Sequence, residues 1–446
     1  MTELAQINFS KDQLKNLAET MLKEAKLLGA TSAEVDISVN KGFNVSARKG
    51  DVETVEYNQD KGIGITVYFD KSSGSSSLSD LRPEAIKTAV KAACDIAKYT
   101  DEDEYSGLAP KELLAFEYPE INLAYPWEVT VEEAIETAKE LEHTALKHDK
   151  RLATESVDVA TTAAYYVYAN SEGFYGCFPV TRHELSCVLI AKENSEMQRD
   201  FSYTVSCDPT LLKSIDYVAN EAVKKTLDRL NSRTLKTQNA PVIFAADEAK
   251  SLLGHFIGAI SGSSLYRKSS FLLDHMGKQI FPKNITIEEK PHLDKYLGSS
   301  PYDDNGVLTR NNVFIKDGVL NSYALGIYSA RKLGLQTTAN AGGVHNLFIS
   351  TSDKNLNDLI KQMHKGLVVT ELMGQGVNLI TGDYSRGCSG FWVENGEIQY
   401  PVKEATIAGN LKDMYSNIGE VGNDVDKRGN ILTGSILLNN MMIAGS

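Results

Sequence analysis

No window of this 446-residue chain approaches the ~20 consecutive apolar residues that a membrane-spanning helix requires, and the longest apolar stretches, such as residues 436–443, are strand-sized. Cysteine is scarce. The five present (Cys94, Cys177, Cys187, Cys207 and Cys388) are odd in number, widely spaced and free of any C-x-x-C pair, which argues against a disulfide framework or a zinc ribbon and fits a reducing compartment. Positive charge is also short. With 46 Lys and Arg against 59 Asp and Glu the formal charge is −13, so the chain lacks the cationic surplus that nonspecific binding to phosphate backbones uses to release counterions. The N-terminus has no basic stretch followed by an apolar one, so it does not read as a secretory leader. What remains, at 42% hydrophobic and 24% charged residues, is an ordinary globular composition. The expectation is a cytoplasmic protein of two or three domains that binds neither nucleic acid nor membrane.

Several chemical templates are missing as well. Gly374-Gln-Gly376 has Leu379 where a dinucleotide fingerprint needs its third glycine, no phosphate-binding P-loop occurs, and Gly387-Cys-Ser-Gly390 is one residue short of a nucleophile elbow. His183-Glu-Leu-Ser-Cys187 has zincin-like spacing but sits among β-formers. Residues four apart in a strand are about 13 Å from each other, too far to share one zinc, so this segment is expected to be a surface strand with polar alternation.

Periodicity supplies the rest. Leu14, Leu17, Ala18, Met21, Leu22 and Ala25 recur at helical spacing after Ser10, a plausible cap. Alternating segments at 35–39, 43–47, 52–57 and 63–69, separated by turn residues at 40–42, 49–51, 60–62 and 70–74, predict an antiparallel meander. A second helix is predicted from Pro83 to about Tyr99, burying Ile86, Val90, Ala93, Ile96 and Ala97, and the acidic run 101–104 after it reads as a solvated linker. A third helix over 130–148, strands over 155–168 and 174–192 and a fourth helix over 210–230 follow. The polar, aperiodic segment 231–241 marks the best boundary, beyond which glycine density rises and helical pattern is confined to 247–260 and 355–366. The predicted class is α+β: an N-terminal α+β domain with an antiparallel sheet and helices (1–235), then a mainly-β domain with glycine-rich loops (236–446). His255 stands alone on the helix over 247–260, with nothing within one helical turn to serve as its partner.

That helix carries the most specific signal. The stretches Leu253-Gly-His-Phe-Ile-Gly-Ala-Ile-Ser-Gly262, Tyr266-Arg-Lys-Ser-Ser-Phe-Leu-Leu-Asp274, Thr381-Gly-Asp-Tyr-Ser-Arg-Gly387 and Ile407-Ala-Gly-Asn-Leu-Lys-Asp-Met414, with Gly50-Asp-Val-Glu-Thr-Val-Glu-Tyr57 in the first half, resemble the TldD/PmbA (peptidase modulator of gyrase) family, and within it the PmbA, or TldE, branch. The resemblance covers essentially the whole chain. It implies a cytosolic metalloprotease of two related subunits, TldD and TldE, in which a His-Glu-x-x-x-His helix and a late cysteine of TldD hold the metal and the glutamate activates a bound water. Laid on this sequence, the first histidine falls at His255, the glutamate at Phe256 and the second histidine at Ile260. The late cysteine falls at Thr433, and no cysteine follows Cys388. One imidazole cannot hold zinc where three protein ligands are the usual minimum. The expectation is therefore a metalloprotease-like C-terminal domain without metal or catalytic residues of its own, no cofactor in this chain, and a zinc-type metal only in a TldD-like catalytic partner.

The resemblance also implies a chamber that admits short or unfolded peptides, including precursors such as microcins. Candidate lining residues are Tyr266, Arg267, Lys268, Asp383, Tyr384, Arg386 and Asn410, each of which could instead brace a loop. Self-pairing of the isolated chain is plausible in a family of paired related subunits. Two other functions stay open: a metallopeptidase active on its own, and a peptide-binding regulator of a toxin–antitoxin or gyrase system.

Overall fold

The computed structural model describes Leu4 and residues 7–445; the stretch 1–9 read above for a leader falls partly outside them. The first helix, α1 (Lys11–Leu27), begins where Ser10 and Gln13 close a reciprocal capping box. It is followed by β1 (Ser32–Arg48), β2 (Asp51–Asn58), β3 (Lys61–Phe69), β4 (Ser72–Leu78), α2 (Pro83–Tyr99), α3 (Val131–Leu146), β5 (Leu152–Asn170), β6 (Tyr175–Glu193), β7 (Glu196–Ser206) and α4 (Ile215–Asp228). These strands form one antiparallel sheet in the order β4-β3-β1-β5-β6-β7, with β2 also on β1.

The expected turn at 40–42 does not form. β1 runs straight through it, pairing with β3 over Ser32–Val39, with β2 over Gly42–Arg48, and with β5 along its other flank. Gly42 serves close approach, since a Cβ there would stand 2.0 Å from the Thr161 carbonyl oxygen. The turn predicted over 70–74 is shorter than expected, because β4 already starts at Ser72. Ile96, predicted to be buried, is 49% exposed, and Cys94 takes the inward place on α2. The acidic run is tied down at one point, where Asp103 accepts a hydrogen bond from the Tyr328 hydroxyl at 2.6 Å. His183 is not on a surface strand. It is fully buried in β6, between β5 and β7, with its ring nitrogens 2.8 Å from the Thr161 hydroxyl and 2.8 Å from the Tyr125 carbonyl.

Odd-numbered residues of β1 and β5 (Val35, Ile37, Val45, Val157, Val159, Ala163, Tyr165) pack under the four helices. Side chains alternate along a strand, so the even-numbered ones face away from the helices, and Tyr168 among them packs with Phe174, Tyr302, Val307 and Ile327. One face of the first sheet thus meets the C-terminal half.

That half contains β8 (Gln238–Phe244), α5 (Ala246–Ile260), α6 (Gly262–Tyr266), β9 (Ile287–Glu289), β10 (Asn312–Lys316), β11 (Val319–Leu320), α7 (Ile327–Leu333), β12 (Leu347–Ile349), α8 (Leu356–Met363), β13 (Gly366–Met373), β14 (Asp383–Glu394), β15 (Glu397–Asn410), α9 (Leu411–Ser416), β16 (Ile418–Val421), β17 (Ile431–Leu432) and β18 (Ile436–Ala444). A five-stranded sheet has the order β11-β10-β9-β12-β17, and a six-stranded one β15-β14-β13-β8-β18-β16. The largest apolar core runs from β8 and α5 to β18. Helices α6, α7 and α9 are absent from the sequence reading. No helix among the described residues is long and apolar enough to cross a membrane.

Candidate functional site

β8 delivers the chain through Ala245 into α5, whose inward stripe of Leu252, Leu253, Phe256, Ala259 and Ile260 is buried in the C-terminal core. Phe256 stands edge-on to the stacked rings of Phe281 and Tyr415, at 5.3 and 6.1 Å. The Tyr415 hydroxyl donates to the Leu252 carbonyl at 2.8 Å and locks this packing. Phe256 and Ile260 are both 0% exposed and surrounded by hydrocarbon.

His255 emerges on the flank of α5, two turns beyond Glu248, and its ring stands edge-on to Tyr384 with 6.2 Å between centroids. Tyr384 and Arg386 are two residues apart on β14 and therefore share a face. Burial, then the Arg386 charge, holds the His255 imidazole below its ordinary range and so neutral. Burial and the neighbouring Asp247 push Glu248 up to about 7, with Arg386 opposing the shift. Burial raises the Tyr384 hydroxyl, again against the Arg386 charge. Among the described residues the His255 Nε2 and Arg386 Nε atoms are buried without a hydrogen-bond partner, and the Tyr384 hydroxyl lies against the Arg386 guanidinium without regular hydrogen-bond geometry. His255 thus has two neighbours that no reading within one helical turn could supply.

The donor set does not fit a metal. Of the four motif positions, His255 offers one nitrogen and Phe256 and Ile260 offer hydrocarbon. Thr433 is fully buried with its hydroxyl donating to the Gly434 carbonyl at 2.9 Å. The strand before it does reach α5, where the Ile431 Cδ1 lies 3.9 Å from the place of a Cβ at Gly254. Among the described residues no three His, Cys, Asp or Glu side chains are grouped to hold a metal ion.

The other sequence candidates divide into two groups. Tyr266, at the end of α6, stands edge-on to Tyr328 of α7 at 5.6 Å, with the Arg267 guanidinium over its ring at 5.6 Å. Lys268 is exposed in a left-handed conformation with φ of 56°. Asn410 caps α9 by accepting from the Lys412 amide at 3.1 Å, and it donates to the Thr381 carbonyl at 3.0 Å and to Asp383 at 3.2 Å. Asp383 also accepts from the Thr381 hydroxyl at 2.6 Å, so Asp383 and Asn410 brace a loop. Of the seven candidates, Tyr384 and Arg386 are the ones gathered at His255.

A cavity of about 750 Å³ escaped the sequence reading altogether. Its floor is the helix-free face of the first sheet, including Asp36, Ser38, Tyr166, Phe178 and Arg182, and its other wall is the loop from Tyr296 to Asp304. Asp36 is accessible from the cavity yet deep in the molecule. Burial first, then Glu34 and Asp304, pushes it up to about 7. The only signal in the sequence is the alternation of Asp36 and Ser38 with Val35, Ile37 and Val39, which marks a polar face without saying what covers it.

Three domain profiles of the PmbA/TldA metallopeptidase family match in succession: domain 1 over residues 33–97, the central domain over 124–230 and the C-terminal domain over 237–445. The chain belongs to that family. Metalloprotease PmbA of Escherichia coli O157:H7 is 50% identical over 446 residues, which cover 100% of this chain and 99% of that one. In Haemophilus influenzae a PmbA homolog is 44% identical over 99% of this chain and 98% of its own, and a TldD homolog 23% identical over 83% and 81%. A crystal structure from Bacteroides thetaiotaomicron, described as a candidate modulator of DNA gyrase, is 26% identical and has a TM-score of 0.91, covering 98% of this chain and 100% of its own. Members of both the PmbA and the TldD kind are thus related to this chain across most of its length, which it shares far more closely with the PmbA kind.

Proposed function

We propose that this chain is the non-catalytic partner subunit of a cytoplasmic PmbA/TldD-type metalloprotease. A TldD-like chain holds the metal, and the two together degrade or process short or unfolded peptides, peptide precursors such as microcins among them. One observation carries this reading: at the two positions where the family's metal helix needs a glutamate and a second histidine, Phe256 and Ile260 are fully buried in hydrocarbon. A base and a ligand there would have to be dissolved in the core, where an unpaired charge costs several kcal/mol. The occurrence of PmbA and TldD homologues in one organism adds support for a paired assembly.

In this assembly the chain supplies a scaffold and part of the wall of the peptide chamber. When isolated it pairs with a second copy. Co-purification from the native host with mass spectrometry tests the proposal. The expected result is a TldD-like chain of similar size in stoichiometric amount. Recovery of this chain with no such partner, together with peptide cleavage by the purified chain that His255→Ala abolishes, would favour a self-sufficient metallopeptidase. Recovery with a toxin, antitoxin or gyrase subunit in place of a protease chain would favour a regulator.

A further inference from the structure

We propose that Arg386, Tyr384 and His255 form a binding site for one carboxylate, the terminal carboxylate of a peptide, given that the chain helps to hold peptides as proposed above. Three groups able to donate hydrogen bonds come together there from two elements, and two of them present buried nitrogens, His255 Nε2 and Arg386 Nε, with no hydrogen-bond partner among the described residues. The third, the Tyr384 hydroxyl, belongs to a side chain only 1% exposed and lies against the Arg386 guanidinium without a hydrogen bond of regular geometry, leaving its own proton free to donate. Buried polar groups are nearly always satisfied, so a convergent set left open asks for an acceptor from outside.

Charge says what kind of acceptor. Two other inward arginines are each held by two acids, Arg229 by Asp200 and Glu371 and Arg428 by Asp426 and Asp247, and Arg331 is held by three backbone carbonyls. Among the described residues Arg386 has no ion-pair partner, and its charge is felt instead by His255, Tyr384 and Glu248. A half-buried guanidinium without a counter-ion favours binding an anion, and its planar fork matches a carboxylate. The valence follows from the surroundings. Glu248 lies nearby with Asp247 and Glu371 around it, so a dianion would face an acidic rim, whereas one negative charge is balanced by Arg386 alone. His255 is neutral and, as the Nε2–H tautomer, can donate without adding charge. His255 and Arg386 are only partly buried, so the cluster is not sealed in the core.

The test is titration of the full-length chain, by calorimetry, with N-acetylated penta-alanine bearing a free C-terminal carboxylate and with the same peptide as its C-terminal amide. The free acid is expected to bind at least about tenfold more tightly, as a charge-assisted contact should give. Arg386→Gln should bring the acid down to the affinity of the amide and leave the amide unchanged. Tyr384→Phe should cost the acid a few-fold. Equal binding of acid and amide, binding of neither, or an unaltered preference in Arg386→Gln would overturn the carboxylate site. If Arg386→Gln does not fold, as judged by circular dichroism, the acid-to-amide ratio on the unaltered chain decides. Failure here leaves the partner-subunit proposal intact, since that stands on co-purification.

Discussion

Phe256 and Ile260 are where, on the function proposed above, a metal-binding relative would carry its glutamate and second histidine. The double substitution Phe256→Glu with Ile260→His would rewrite the motif on paper, yet it places a carboxylate and an imidazole where both native side chains are 0% exposed. It is expected to destabilise the fold by at least about 3–5 kcal/mol in chemical denaturation, the cost of losing a buried aromatic and burying polar groups. No stoichiometric zinc should be recovered with it. A second expectation concerns Glu248. Its folded-state value of about 7 lies above the ordinary 4.5, so the folded state binds this proton more tightly than the unfolded state does. The associated stability is therefore fully present below about pH 4.5 and is lost as pH rises to about 7. Glu248→Gln removes that loss. Thermal unfolding should find the variant more stable than the parent by about 2 kcal/mol at pH 8 and nearly equal to it at pH 4. His255 was visible in the sequence, but its neighbours were not: Tyr384 and Arg386 belong to a strand far along the chain, and helical spacing reports only on contacts a turn or so away.

At the scale of elements, alternation and capping made most of the first half readable. The Ser10–Gln13 and Thr130–Glu133 capping boxes start α1 and α3 where the pattern of apolar residues begins. The sequence pattern divides β1 into two strands because a glycine can mean either a left-handed turn or a close approach of backbone, and sequence does not separate these uses. At Gly42 the second applies, and it predicts a clear effect. Gly42→Ala drives a Cβ into the Thr161 carbonyl at 2.0 Å, so the long β1–β5 ladder must shift. The expected loss is about 2–3 kcal/mol by denaturant titration, while Gly50→Ala, at a turn with open space around it, should lose less. The short helices of five to seven residues, α6, α7 and α9, are too brief to display a period and are fixed by tertiary packing.

Across the whole molecule the two halves are joined by specific contacts. Arg331 on α7 donates to the carbonyls of Tyr105, Gly107 and Leu108 at 3.1, 2.8 and 2.6 Å, which fastens the segment after the acidic run to the C-terminal half. The cavity under Tyr296–Asp304 exists only because the helix-free face of the first sheet meets that half, a juxtaposition that no local pattern carries. Periodicity predicts α5 as a helix but does not say which of its positions a metal site would use; that expectation comes from the family resemblance alone. The central claim is that this chain works as the metal-free member of a pair, and the most direct measurement is zinc content and peptide cleavage of the purified full-length chain, before and after a TldD-like chain is added. Well under one zinc per chain, no cleavage alone and cleavage on mixing are predicted; stoichiometric zinc with peptidase activity in the isolated chain would contradict the account.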